Sequence, residues 1–325
     1  MAITLVETNF EALGKEWTEL LPRAYLNNIF LTPTWQNLWW KQFNKSGQLR
    51  LLAFRDAKKL IGIAPLIEKS SSIYFLGDTD LFDYHDFIVD SKYIDDFYDK
   101  LSSYFTAGPW NAIKLHSLGN ESPTLKQLPG KICSMGWNSK ITLEDSVPGM
   151  SLPQNWDEHL STLGKKHRHE LKRKIRRLED NGPYNVISAD GVNNSKVSIE
   201  EFLGLMKASK EEKSRFMTAD RESFFREMVH VLSSEKTLNL YFLEVQDHIV
   251  ASAICFDYNG SRFLYNSGYN PQFSHLSVGL ILKAFTVRDA IESGFHYFDF
   301  LRGDEPYKYH LGGQESHIST LELSR

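Results

Sequence analysis

Apolar residues recur at helical spacing over residues 9–21, at Phe10, Leu13, Trp17, Leu20 and Leu21. A second helix is predicted over 34–43, where Pro33 suits a first turn. Residues 49–54 and 60–67 read as two strands about a polar turn. Short strands follow at 73–76 and 87–89, then a helix over 93–105 and a strand over 112–118. The second half predicts helices over 199–208 and 221–232. Strands over 238–245 and 249–257 flank Gln246-Asp247-His248, and a third strand covers 262–267. An amphipathic helix over 277–293, closed by Gly294, precedes a strand over 297–301. Each half thus orders helices, an antiparallel meander, a helix and a further strand, with no repeat of sequence. The pattern predicts an α+β chain of two lobes, each a mainly antiparallel sheet flanked by helices.

Between the lobes, residues 155–181 predict one long helix. Asn155 is a cap, Asp157 and Glu158 fill the first turn, and Asn181-Gly182-Pro183 is a stop. Leu160, Leu163, Leu171, Ile175 and Leu178 form its apolar stripe, with His167 in the same row. The expected division is 1–150, a linking helix at 151–185, and 186–325. Charge sets that helix apart. The chain carries a net −4, yet residues 151–185 hold eight Lys and Arg against five acids. All eight fall within 165–177. They read first as a solvated helix face; the alternative is contact with the phosphates of a cofactor, with an anionic substrate, or with RNA. A chain acidic overall is a poor general nucleic-acid binder, which leaves tRNA as the one nucleic acid to consider.

The chain has 325 residues, 42% of them hydrophobic and 13% aromatic, enough for two cores. Residues 1–10 lack the basic and apolar regions of a signal peptide. The longest nearly apolar run, 249–256, is far short of the ~20 residues of a membrane span. A cytoplasmic protein is expected. Cys133 and Cys255 make neither a disulfide framework nor a zinc site, so no metal is expected. Phosphate-binding G-x-x-x-x-G-K-[ST], dinucleotide and H-E-x-x-H motifs are absent, which sets aside kinase, dehydrogenase and zinc-protease chemistry.

Candidate chemistry gathers near the C-terminal end. Residues 298–308 read FDFLRGDEPYK, preceded by YNSGYNPQ at 265–272 and SVGLIL at 277–282. A helix start offers unpaired N–H groups to a pyrophosphate, and Gly279 after Ser277 leaves room for one. The alternative is a small residue that lets helix and strand pack. Asp304 is placed as a base or substrate-orienting acid, and Tyr307 as the proton donor to a leaving thiolate. Lys308 and Arg302 would hold an anionic group or the developing oxyanion. A solvated charged turn is the other reading of the same residues. In the first half, Asp83, His85 and Asp86 (within DYHDF) suggest a substrate-facing loop at an inter-lobe cleft, or an acidic surface loop. Lys213 and Arg215 are candidates for substrate or cofactor phosphate.

The order of strand, Y-x-x-G-Y-x-P, helix with an early Gly, and strand ending FDFLRGDExYK resembles the GNAT-like acyltransferases of the cellulose-biosynthesis CelD/BcsL type. These are tandem-lobe relatives of the Fem peptidyltransferases. FLTPTWQNLWW at 30–40, DYHDFIV at 83–89, the basic segment 155–182 and KSRF at 213–216 fit the same resemblance. It implies two GNAT-like lobes, the second holding acetyl-CoA or another acyl-CoA at Ser277, Val278, Gly279 and Tyr269. It further implies an N- or O-acyltransferase acting on a polysaccharide, amino-sugar or envelope-precursor acceptor. The rival readings are a Fem-like transferase using aminoacyl-tRNA and a non-catalytic module that binds an anionic partner.

Overall fold

The computed structural model describes residues 3–44, 47–189 and 197–325. Among them are fourteen strands: β1 Thr4–Thr8, β2 Gln48–Asp56, β3 Lys59–Lys69, β4 Ser72–Phe75, β5 Ile88–Val89, β6 Ala112–Gly119, β7 Asn138–Ser146, β8 Gly149–Ser151, β9 Tyr184–Ala189, β10 Leu238–Val245, β11 His248–Tyr258, β12 Ser261–Tyr269, β13 Tyr297–Asp299 and β14 His317–Ser324. They form two sheets in two units, 1–146 with 316–325, and 147–315.

The first unit carries the sheet β1-β2-β3-β4-β6-β14-β7, with β5 beside β3. All pairings are antiparallel except β4 with β6. The predicted helices are present as Phe10–Leu20, Pro33–Phe43 and Ile94–Ala107. Helix Pro123–Ser134 and strand β7 are additions that the apolar pattern does not announce. β14 comes from the far end of the sequence and lies between β6 and β7. Its Ile318, Leu321 and Leu323 are fully buried, so the strand completes the core of this unit. This is why the observed division departs from the expected 1–150 and 186–325: strand pairing crosses the linear boundary.

The second unit carries the sheet β8-β13-β12-β11-β10-β9. Gln246 and Asp247 both take positive φ, 48° and 65°, so β10 and β11 meet in a tight hairpin turn. The strand β13 runs parallel to β12 for three pairs only, 297–299 against 261–263. It then ends while β12 continues to Tyr269 and bulges opposite Ile254 and Cys255. Beyond Phe263 no strand among the described residues lies along that flank of β12. Gly268 serves a different end: a Cβ there would lie 2.3 Å from the Met206 backbone nitrogen, so the glycine lets helix Ile199–Ser209 cross β12 closely.

The single helix expected over 155–181 is two, Trp156–Thr162 and Lys165–Asp180. Leu163, at ψ 138°, leaves the helical region, and Gly164 caps the second segment. Asn155 caps the first as expected, accepting from the Glu158 N–H. Leu160, Leu163, Leu171 and Leu178 share a buried cluster with helix Val278–Glu292 and with β10 and β11. The basic segment is therefore built into the second unit. No helix among the described residues is long and apolar enough to cross a membrane.

Candidate active site

The helix Val278–Glu292 starts from an unusual corner. Ser277 lies in the left-handed region at φ 58°, and its carbonyl accepts from the Leu280 and Ile281 N–H groups. The N–H groups of Val278 and Gly279 precede those first intrahelical bonds, at the positive end of the helix dipole. Two cations from helix Lys165–Asp180 meet there. Lys174 Nζ and Arg177 Nη2 donate to Ser277 Oγ at 3.3 and 3.0 Å. The basic segment is thus a solvated face at Lys172 and Arg176 and part of a site at Lys174 and Arg177. Tyr269, Ser277, Val278 and Gly279 line one pocket of about 230 Å³, and Tyr307 and Lys283 face the same space. A Cβ at Gly279 would press on the Tyr269 ring at 3.3 Å. A helix start, two cations and the adjoining pocket fit the phosphates of an acyl-CoA.

The FDFLRGDEPYK segment is a turn held from within. Alternation stops at Phe300, because Leu301 takes φ 59° and Gly303 φ 110°. Asp299 Oδ1 accepts the Leu301 N–H at 2.8 Å. Lys308, almost wholly buried, donates to the carbonyls of Leu301, Arg302 and Gly303 at 2.8, 2.5 and 3.0 Å and pairs with Glu305 at 3.0 Å. An ammonium has three N–H groups, and here the turn occupies them. Lys308 therefore fixes a backbone conformation that costs a non-glycine residue about 1–3 kcal/mol, in place of the charge-stabilising role expected of it. Arg302 is half-buried and supplies one of those carbonyls. Asp304 is exposed and is not among the pocket residues, which takes it out of the expected base position. Tyr307 is in the pocket, packed edge-on against Phe300. Burial pushes its phenol well above the ordinary tyrosine range, so it keeps its proton for donation.

Two further lysines face this region. Lys213 Nζ donates to Asn266 Oδ1 at 3.0 Å and to the Ser267 carbonyl, on the flank of β12 that β13 leaves. Burial brings its ammonium down to about 8, with Glu305 opposing and Lys210 and Lys308 reinforcing the shift. Lys283 lies over the Tyr307 ring at 4.4 Å. Burial and then the charge of Lys213 bring it down to about 7. Sequence reasoning named Lys213, took Lys174 and Arg177 only as part of the whole basic run, and missed Lys283. The signal was there for Lys283, the only charged residue in the otherwise apolar run 278–287. Arg215 is exposed and pairs with Glu211 on its own short helix, away from the pocket residues.

The first-half trio does not form a surface loop. His85 is buried, its ring stacked between Phe75 and Phe82 at 5.4 and 4.5 Å. Asp86 is buried and accepts from Phe87 N–H and the Thr124 hydroxyl. Burial pushes its carboxyl up to about 6, against hydrogen bonds from Ser122, Thr124 and Phe87. Asp83 alone is partly exposed. Both His85 and Asp86 are interior residues of the first unit, which corrects the substrate-facing assignment for them. Among the described residues no three His, Cys, Asp or Glu gather as a metal site.

Residues 165–309 match the family model described as the acetyltransferase (GNAT) domain. This stretch is a GNAT acetyltransferase domain. It takes in both helices of the anion corner, the bulged β12 and the FDFLRGDEPYK turn, so the candidate site lies within the matched domain. No curated protein matches the sequence. Among solved structures, FemX superposes with a TM-score of 0.67 at 12% identity, covering 98% of this chain and 96% of its own. The C-terminal domain of a putative lysylphosphatidylglycerol synthetase from Agrobacterium fabrum gives 0.61 at 8% identity, over 98% and 92%. A tandem GNAT protein from the clavulanic acid biosynthesis pathway gives 0.53 at 9% identity, over 98% of each chain. At such identities the likeness is one of fold: two GNAT-like lobes, of which the second contains the GNAT domain.

Proposed function

We propose that the GNAT domain transfers an acyl group from acetyl-CoA or another acyl-CoA to an amine or hydroxyl of a polysaccharide, amino-sugar or envelope-precursor acceptor in the cytoplasm, as the CelD/BcsL resemblance implies. The observation that carries this reading is the convergence of Lys174 and Arg177 on Ser277 at the start of helix Val278–Glu292, beside the pocket shared with Tyr307. The helix start and the two cations would hold the donor's phosphates. The thioester supplies the activated acyl carbon, and Tyr307 would give a proton to the leaving thiolate, a role suited to a phenol that stays protonated. Lys213, on the open flank of β12, lies where the acceptor would approach.

Melting curves with acetyl-CoA test the donor. A ligand at 100 times its dissociation constant adds ~2.7 kcal/mol to stability. Gly279→Glu would set a carboxylate in the anion corner and should abolish the shift; a full shift in that variant would move the donor elsewhere. One observation favours a second reading, aminoacyl-tRNA as donor: Lys165, Lys166, Lys172 and Arg176 remain exposed beside the corner. Deacylated tRNA in the same assay separates the two, because a shift with tRNA and none with acetyl-CoA would favour the Fem-like reaction. No shift with either, and no thiol release, would favour the non-catalytic module.

A further inference from the structure

The pocket contains an ammonium that the phosphate corner does not use. Lys283 stands five residues into helix Val278–Glu292, about 7 Å along its axis from the helix start. Its Nζ makes one long hydrogen bond, 3.4 Å, to the Gly279 carbonyl, and lies 4.4 Å above the Tyr307 ring. Two neighbouring ammoniums are engaged, Lys308 by the turn carbonyls and Lys213 by Asn266 and Ser267. Resting on the acyl-transfer reading above, we infer that Lys283 is the catalytic base of the reaction. Its neutral amine takes the proton from the acceptor nitrogen or oxygen as that atom bonds to the acyl carbon. The carbon–sulfur bond breaks, and the sulfur takes a proton from the Tyr307 hydroxyl. Lys283 then gives its proton to solvent and the Tyr307 oxygen regains one from solvent. The acceptor has lost one hydrogen and the thiol has gained one, with both side chains restored.

The groups facing Lys283 make that amine available. Lys210 and Lys213 come from the segment before and within helix Glu211–Phe216, and Lys308 from the short helix Pro306–His310; Glu305 is the one acid among them. Burial and these like charges bring Lys283 down to about 7, so the neutral form is well populated at neutral pH. A lysine that only held an anionic substrate group would need the opposite, a charge kept at all working pH. The two roles therefore predict different responses to arginine, which keeps the charge and cannot act as a base.

Thiol release from acetyl-CoA, with glucosamine or water as acceptor, is measured for the wild type, Lys283→Met and Lys283→Arg. Melting shifts with CoA are recorded for all three. The expected result is a 10²–10⁴-fold loss of turnover in both variants, with the CoA shift kept and the wild-type rate rising through a midpoint near 7. Arginine within a few-fold of wild type would overturn the assignment. So would a CoA shift lost in both variants, which would make Lys283 a donor-binding residue. Trace acetic-anhydride labelling of the wild type across pH, read by peptide mass spectrometry, needs neither turnover nor a variant. Lys283 should label with a midpoint near 7, and a midpoint at the ordinary lysine value would also overturn the base. A wild type that neither shifts with acetyl-CoA nor releases thiol would instead remove the acyl-transfer reading itself.

Discussion

At the residue scale, the FDFLRGDEPYK turn separates chemistry from scaffolding among neighbours in the chain. Lys308→Met would leave three carbonyls without their donor and Leu301 without its support. A loss of about 2–4 kcal/mol follows from the cost of leaving buried polar groups unpaired, visible as a lower urea midpoint. Asp304→Asn, on an exposed side chain, should change turnover less than about 3-fold and stability by under about 0.5 kcal/mol. If thiol release fell a hundred-fold in Asp304→Asn, the base would be back on the turn. The buried lysines add a pH signature. Lys213 and Lys283 titrate at about 8 and about 7 in the folded chain, against ~10.4 unfolded. Between about 7 and 10 the unfolded chain therefore holds more protons, and stability rises with pH across that window. The penalty is complete below the folded values. Urea midpoints at pH 6.5 and 9 should show the rise, and a double Lys213→Met, Lys283→Met variant should flatten it. A wild-type midpoint falling over that interval would contradict the assigned burial.

At the element scale, two contrasts test how helices serve the site. Lys174→Glu with Arg177→Glu should weaken CoA binding at least ten-fold and reduce its salt dependence, whereas Lys172→Glu with Arg176→Glu should leave it nearly unchanged; calorimetric titration at several salt concentrations reads both. Equal effects from the two pairs would mean that the whole helix face acts as a diffuse charge. Gly268→Ala should destabilise by more than 2 kcal/mol, because its Cβ would meet the Met206 and Leu205 backbone at 2.3–2.5 Å. Gly204→Ala, in the same contact helix but facing open space, should stabilise by about 0.5–1 kcal/mol. Thermal melts compare the two directly. These elements also show what the sequence makes legible. The strands β10 and β11 are long apolar runs about a turn, and pattern alone finds them. The strand β7 carries Ile141 and Leu143 at 51% and 65% exposure, so its apolar residues do not mark a core. β14 has register shifts against both neighbours, which break the alternation that would reveal it. The helix start at Ser277, Val278 and Gly279 was legible as a candidate because helix-start chemistry is local. Lys174 and Arg177 were not, because their partner Ser277 is about a hundred residues away.

At the scale of the whole molecule, the second unit is inserted in sequence within the first. The first unit needs residues 316–325 to place β14 between β6 and β7. A fragment of residues 1–146 should therefore fail to give a cooperative unfolding transition, and a peptide of residues 316–325 added in trans should restore one. Cooperative melting of the fragment alone would show that the sheet closes without β14. The second unit draws on one unbroken stretch, 147–315, and a fragment of that span should melt cooperatively and keep its CoA shift. The same topology governs the order of events at the ribosome. Residues 1–146 cannot finish their sheet until synthesis has passed Ser324, so the first unit waits, with an interior edge exposed, while the entire second unit is made. Any chain that stops before that point leaves β6 and β7 with unpaired edges, whatever the state of its second unit.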